Sequence, residues 1–209
     1  MSDVYSLRDD RDAALEAAAK AIGEGSIVVF PTDTVYGVGG DAFNQFATER
    51  IFAAKQRPRS LPLPVLVAWP RQAWALCESV PDAAAELAAA FWPGALTLLL
   101  PASDGLSLDL GETKGRIAVR IPAHDDLIEL ISTVGPLAAT SANRSGSPTP
   151  STVDEIRAEL GDSVAVYLDG GPAREEVPST IVDCTRRKPK VVREGAIRSN
   201  AIDAALGRG

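Results

Sequence analysis

The segment Ser26-Ile27-Val28-Val29-Phe30-Pro31-Thr32-Asp33-Thr34-Val35-Tyr36-Gly37 changes character in its middle. Its first half is a β-branched, apolar run that predicts a buried strand. Pro31 then breaks it into a loop rich in hydroxyls. Upstream, Asp9 and Asp10 precede a stretch in which Leu15, Ala18, Ala19 and Ile22 fall on one face before Gly23 and Gly25 stop it, which predicts an amphipathic opening helix. Downstream, Phe46, Ile51 and Phe52 return at helical spacing over 45–55, and the segment ends in Lys55-Gln56-Arg57-Pro58-Arg59, where Pro58 forbids continuation.

Working outward, further strands are expected over 64–68, 95–100, 117–121, 137–140, 164–168, 180–182 and 191–193. Helices are expected over 82–91, 125–133, 153–160 and 198–206. Strands and helices interleave without strict alternation, so the fold class is α/β, or α+β, with a mixed sheet flanked by helices. No internal repeat or low-complexity linker divides the chain. The Pro/Ser/Gly/Thr-rich stretch 141–152 reads as a functional loop, because strand and helix patterns continue beyond it. We expect one domain over 1–209, with a core of about 9–195.

A chain of 209 residues with 45% hydrophobic side chains can bury a full core. Lys and Arg number 21 against 28 Asp and Glu, a net charge of −7 that disfavours diffuse affinity for nucleic acid or membranes. An anionic substrate would therefore need a local cationic pocket. Cys77 and Cys184 form no CxxC, and the single His124 cannot build a multi-histidine metal site, so reduced, metal-free thiols and no protein-held metal are expected. The acidic N-terminus lacks a signal-peptide pattern, and no apolar run is long enough to span a bilayer. Soluble, cytoplasmic residence is the expectation.

The polar residues of interest gather where predicted strands end: Thr32 and Thr34, Arg120, Ser141 and Asn143, Ser179, and Arg193. Ligands of open α/β sheets sit outside strand ends, so one shared cleft is expected. The set offers hydroxyls and amides for a small polar substrate, with Lys55, Arg57, Arg59, Arg120 and Arg193 to neutralise phosphates or carboxylates. It suits a nucleotide and an amino acid. Neither GxxxxGK[ST] nor GxGxxG occurs, and Gly37-Val38-Gly39-Gly40 fits neither spacing. A serine hydrolase is poorly supported, since there is no GxSxG and only one histidine. Each residue also has a plainer reading. Thr32 and Thr34, like Ser141 and Asn143, can shape turns, while Lys55 can complement a helix dipole. Arg57 and Arg59 can be solvated, and Arg120 can pair with an internal carboxylate. His124 is read as flanking the helix from Asp125, and the three tryptophans as packing residues.

Six motifs in order, Pro31-Thr32-Asp33-Thr34-Val35-Tyr36-Gly37, Lys55-Gln56-Arg57-Pro58, Val119-Arg120-Ile121-Pro122, Thr140-Ser141-Ala142-Asn143, Ser179-Thr180-Ile181-Val182-Asp183 and Arg193-Glu194-Gly195, resemble the YrdC-type threonylcarbamoyl-AMP synthases, in the short single-domain form. They span nearly the whole chain. The resemblance implies a twisted mixed sheet with a deep cationic cleft, and a reaction that turns ATP, bicarbonate and L-threonine into threonylcarbamoyl-AMP and pyrophosphate for tRNA modification. It also implies Mg²⁺ with the ATP and hand-over of the product to downstream tRNA threonylcarbamoyl transferase proteins, and it leaves open a direct contact with tRNA. By motif, Thr32, Arg120, Thr140 and Ser179 match threonine positions, and Lys55, Arg59, Ser141, Asn143 and Arg193 match ATP positions. Lys55 and Arg57 match the catalytic KxR element. One departure stands out. Many members follow KxRP with Asn-Pro-Leu and a histidine, where this chain has Leu61-Pro62-Leu63-Pro64-Val65-Leu66. Two rival readings are a double-stranded RNA-binding module and an enzyme adenylating a different carbamate, as the similar domains of carbamoyltransferases do.

Overall fold

The hydroxyl-rich loop turns out to be the connection of a hairpin. In a computed structural model of the protein, which describes residues 2–173 and 177–208, the chain leaves strand β2 (Val28–Phe30) at Pro31 and returns antiparallel as β3 (Gly37–Asp41). Before the hairpin come β1 (Asp3–Ser6) and helix α1 (Arg11–Gly23). After it come α2 (Gln45–Lys55), β4 (Val65–Leu66), α3 (Pro70–Ala75), α4 (Asp82–Phe91), β5 (Leu96–Pro101) and β6 (Arg116–Arg120). The chain continues through α5 (Asp125–Val134), β7 (Leu137–Ser141), α6 (Val153–Leu160), a 3-10 turn (Gly161–Ser163), β8 (Val166–Asp169), β9 (Thr180–Asp183), β10 (Lys190–Arg193) and α7 (Ser199–Ala205).

Among the described residues the ten strands form one mixed sheet in the order β1-β8-β2-β3-β7-β4-β6-β5-β9-β10. The strands β1, β8 and β2 are mutually parallel, as are β4 with β6 and β5 with β9, and the remaining neighbours are antiparallel. The expected mixed sheet flanked by helices is therefore present.

Local chemistry sets the helix ends. Asp10 caps α1 by accepting from the Ala13 amide at 3.2 Å, and Asn44 caps α2 through the amides of Phe46 and Ala47. Gln56 closes α2 in the left-handed conformation, and Thr152 with Glu155 forms a capping box at α6. His124 occupies the N-cap position of α5, and Trp74 stacks on Trp92 with ring centroids 5.5 Å apart, both as expected.

Two strands and a helix escaped the sequence reading. β1 lies before the expected start of the core, because four residues of mixed polarity carry no strand signal until β8 pairs with them. β3 hides in Gly37-Val38-Gly39-Gly40, a composition depleted in strands. The sheet itself requires those glycines: a Cβ on Gly37 would lie 2.6 Å from the Phe30 ring, and one on Gly39 would lie 2.6 Å from the Ala138 carbonyl oxygen. The short α3, with Pro70 in its first turn, is too brief for a periodicity to register.

Side chains alternate between the two faces. On one face Val29, Val38, Leu96, Leu98, Leu100, Ile117, Val119 and Val182 meet residues of α2, α3, α4, α6 and α7. On the other face Val28, Phe30 and Leu168 meet α1 and α5 through Leu15, Ala18, Leu127 and Leu130. α1 packs on β1, β2, β3 and β8. Thus α1 and α5 cover one half of this second face, and over β6, β5, β9 and β10 it stays open. That uncovered half carries the candidate site.

Candidate functional site

The open half-face forms the floor of a cleft of about 510 Å³. Because strand side chains alternate, the strands that send Leu96, Leu98, Ile117 and Val119 into the core send Thr97, Leu99, Ala118 and Arg120 into the cleft. The register of β10 slips between Val191 and Arg193, so consecutive residues Val192 and Arg193 both reach the cleft. One wall is the β2–β3 loop with Thr32 and Thr34, and another is the loop after β7 with Asn143, Ser147 and Thr149.

Nine of the eleven residues singled out in the sequence line this space: Thr32, Thr34, Arg57, Arg120, Thr140, Ser141, Asn143, Ser179 and Arg193. The expectation of convergence is met. The cleft takes in those strand ends and also runs across the sheet face, where α1 and α5 leave it uncovered. Among the described lining residues the charged ones are Arg57, Arg120 and Arg193. A chain of net charge −7 thus presents a locally cationic surface.

Arg120 is 7% exposed, and three of its five N–H groups are bonded within the protein. Its Nε donates to the Gly94 carbonyl at 2.9 Å, Nη1 to Thr34 Oγ1 at 3.0 Å and Nη2 to Asp33 Oδ1 at 2.7 Å. Burial lowers its pKa and the Asp33 carboxylate opposes that shift. Asp33 also accepts from the Ala123 amide at 3.0 Å, so one carboxylate oxygen ties the hairpin loop to the chain after β6. Thr32 Oγ1 donates to the Val35 carbonyl at 2.7 Å, accepts from the Thr34 amide and lies 3.0 Å from Thr34 Oγ1. The turn-shaping role and a role facing the cleft therefore coexist in Thr32.

Ser179 and Arg193 form a second cluster. Arg193 donates from Nε and Nη2 to the Ser179 carbonyl at 3.1 and 2.8 Å, and from Nη2 to Ser179 Oγ at 3.1 Å. Ser179 Oγ also lies 2.8 Å from Thr97 Oγ1. Burial, and then Arg120, lower the Arg193 pKa. Arg57 donates to the carbonyls of Leu61 and Pro62 at 2.7 and 3.2 Å. Its pKa is lowered by burial first and by Arg193 second.

Two candidates stand apart. Lys55 is 1% exposed and lies behind the wall, donating to the Ser141 carbonyl, the Asn143 carbonyl and, at 3.3 Å, Asn143 Oδ1. Burial, and secondarily Arg57, push its pKa down to about 8. Arg59 faces away, pairing with Asp109 and lying 4.8 Å over the Phe52 ring.

Sequence reasoning missed Asp33 and Thr97. The signal for Thr97 was available, as the one hydroxyl inside the run Leu96-Thr97-Leu98-Leu99-Leu100. The wall built from Pro62, Pro64 and Leu66 is apolar, where the resemblance would place a histidine. Leu66 pairs in register with Arg120, so the replaced stretch borders the guanidinium directly. Among the described residues no cluster of His, Cys, Asp or Glu is arranged to hold a metal ion, and no helix is long and apolar enough to cross a membrane.

A family model described as telomere recombination matches residues 20–195. A Mycobacterium tuberculosis H37Rv protein, provisionally named a threonylcarbamoyl-AMP synthase, is 44% identical over 209 residues, covering 99% of this chain and 96% of its own. The Bacillus subtilis threonylcarbamoyl-AMP synthase is 38% identical over 98% of this chain and 60% of its own. The structure of Pyrococcus abyssi Sua5 complexed with L-threonine superposes with a TM-score of 0.92 at 36% identity, covering 100% of this chain and 61% of that one. The chain therefore spans about three-fifths of the two longer relatives and nearly all of the mycobacterial one.

Proposed function

This chain belongs to the Sua5/YciO/YrdC family, and from that premise we propose that it is an L-threonylcarbamoyladenylate synthase, which condenses ATP, bicarbonate and L-threonine into threonylcarbamoyl-AMP and pyrophosphate. The observation that carries the reading is the convergence of Thr32, Arg120, Ser179, Ser141, Asn143 and Arg193 on one cationic cleft. Relatives bearing that enzyme's name, and the threonine complex of the P. abyssi neighbour, support it.

The chemistry is a joining of anions. The threonine amine attacks the carbon derived from bicarbonate, forming the N–C bond of a carbamate with loss of water. A carbamate oxygen then attacks the α-phosphorus of ATP, and the bond to the β-phosphate oxygen breaks to release pyrophosphate. Neither step needs a protein nucleophile, so the cleft's task is to hold two anionic substrates in line and offset their repulsion. Arg120, fixed from three sides, presents a rigid guanidinium for the threonine carboxylate, with Thr32, Thr140 and Ser179 around it. Arg57 and Arg193 face the phosphates, and Ser141 and Asn143 shape the nucleotide wall. Arg59 reaches the nucleotide only by leaving Asp109.

The donor set fits Mg²⁺ carried on the triphosphate better than Mg²⁺ held by the protein. Asp33, the carboxylate that supports the cleft, is committed through Oδ1 to Arg120 and the Ala123 amide. On the polyphosphate the ion supplies charge neutralisation for the departing pyrophosphate. The product then passes, in the cytoplasm, to a transferase that modifies tRNA.

The test is pyrophosphate release in the presence of ATP, Mg²⁺ and bicarbonate, with L-threonine compared against L-serine and L-valine. A threonine-dependent signal that also requires bicarbonate is expected. Release that ignores threonine sinks the reading.

A further inference from the structure

The wall that faces the nucleotide is built around a buried ammonium. The Nζ of Lys55 donates to Ser141 O, Asn143 O and Asn143 Oδ1, while the backbone carbonyl of Lys55 accepts from the Ser145 amide at 2.9 Å. Asn143 extends the network: its Nδ2 donates to the carbonyls of Arg144 and Ser147 at 2.9 and 2.6 Å, and its Oδ1 accepts from Thr149 Oγ1 at 3.3 Å. An ammonium has three hydrogens, and three acceptors already surround this one. None is left to reach a phosphate. Four residues of this wall, Ser141 at the end of β7 and Asn143, Ser147 and Thr149 in the loop after it, line the cleft, whereas Lys55 does not.

We infer that Lys55 is a positioning residue: its ammonium holds the 141–149 wall in shape and sets a fixed positive charge behind it, without touching the nucleotide. The inference rests on the proposed ATP reaction and reassigns one of its residues. The family motif places Lys55 among the nucleotide contacts, and here the contact is carried by the loop that Lys55 braces. The charged groups bearing on Lys55 are Arg57, which disfavours its protonation, and Glu159 of α6, which favours it. Burial outweighs both and leaves it titrating near pH 8. A polyanion arriving on the other side of the wall stabilises the charged form, so nucleotide binding near that pH draws in a proton.

Two measurements on the wild-type full chain test this. In a crystal structure with a non-hydrolysable ATP analogue and Mg²⁺, Nζ is expected on the same three loop acceptors, beyond hydrogen-bond distance of every phosphate oxygen. Calorimetric titration of the same analogue at pH 8, in two buffers of different ionisation enthalpy, is expected to show uptake of up to about half a proton, vanishing near pH 6 where Lys55 is already charged. Lys55→Met is expected to abolish the uptake, and the wild-type measurements stand even if that variant does not fold. Nζ bonded to a phosphate overturns the inference alone, as does binding without proton uptake or uptake that survives in Lys55→Met. No binding of the analogue overturns the nucleotide reading of the cleft, and the inference with it.

Discussion

Replacing Arg120 by lysine separates the two things this side chain does. An ammonium keeps the positive charge and can stay paired with Asp33, but it cannot also reach the Gly94 carbonyl and Thr34 Oγ1, which the guanidinium meets at 2.9 and 3.0 Å. Two lost hydrogen bonds at about 1 kcal/mol each give a destabilisation of about 2 kcal/mol. For a chain of this size that lowers Tm by about 4–8 °C. The effect on threonine is separate and larger. A lysine cannot hold a carboxylate through two parallel bonds, and a hydrogen bond to a charged group contributes about 1.5–3 kcal/mol, so the KM for threonine should rise about 10- to 150-fold. The KM for ATP should stay within about twofold, because Arg57 and Arg193 remain in place. Pyrophosphate release at varied threonine and saturating ATP, with a thermal melt of the same preparation, gives both readings. If Tm falls and the threonine KM does not move, Arg120 is an internal partner of Asp33 and nothing more, and the assignment of the carboxylate site is wrong.

Four further outcomes rest on named contacts. The folded-state pKa of Lys55, about 8, lies below the usual 10.5, so its charge is held below pH 8 and lost as pH rises through 8. The KM for ATP should therefore be flat from about pH 6 to 7.5 and rise above 8, and a flat profile to pH 9.5 would count against the brace. Stability runs the other way for this group: between 8 and 10.5 the unfolded chain binds more protons, so its contribution to folding improves as pH rises across that window. Thr97→Val removes the hydroxyl 2.8 Å from Ser179 Oγ and should raise the threonine KM about three- to tenfold, with Thr97→Ser restoring it and the ATP KM unaffected. Gly39→Ala drives a Cβ to 2.6 Å from the Ala138 carbonyl oxygen in the middle of the sheet, and a urea midpoint should report a loss of at least about 2 kcal/mol. An unchanged midpoint would show that the β3–β7 pair can part at little cost.

What the sequence made legible was whatever repeats at a short period or announces itself by chemistry. α2, α4 and α6 follow the expected bounds because their apolar spacing is local, and Asn44 and Thr152 cap the first and the last of them. β1 and β3 were hidden because their stability is supplied by neighbours distant in sequence: β8 for the first, and β2 and β7 for the second. Thr97 was hidden for a related reason. One hydroxyl in an apolar strand signals a departure from the core, but only the sheet order, with β9 beside β5, reveals that Ser179 is its neighbour.

The cations show most sharply where local pattern stops. Lys55, Arg57 and Arg59 stand within five residues, and composition treats them alike as charge available to a phosphate. In three dimensions they diverge because α2 ends between them. Lys55, still helical, points beneath the 141–149 loop. Gln56 in the left-handed conformation redirects the chain, which brings Arg57 to the cleft and carries Arg59 past it to Asp109. One cap thus divides a basic cluster into a brace, a lining residue and a peripheral ion pair. That division keeps two further cations out of a cleft where Arg57, Arg120 and Arg193 already disfavour one another's charge. The buried charge of Lys55 instead acts through a polar wall, and Arg57, Arg120 and Arg193 face the open space from separate strands and loops.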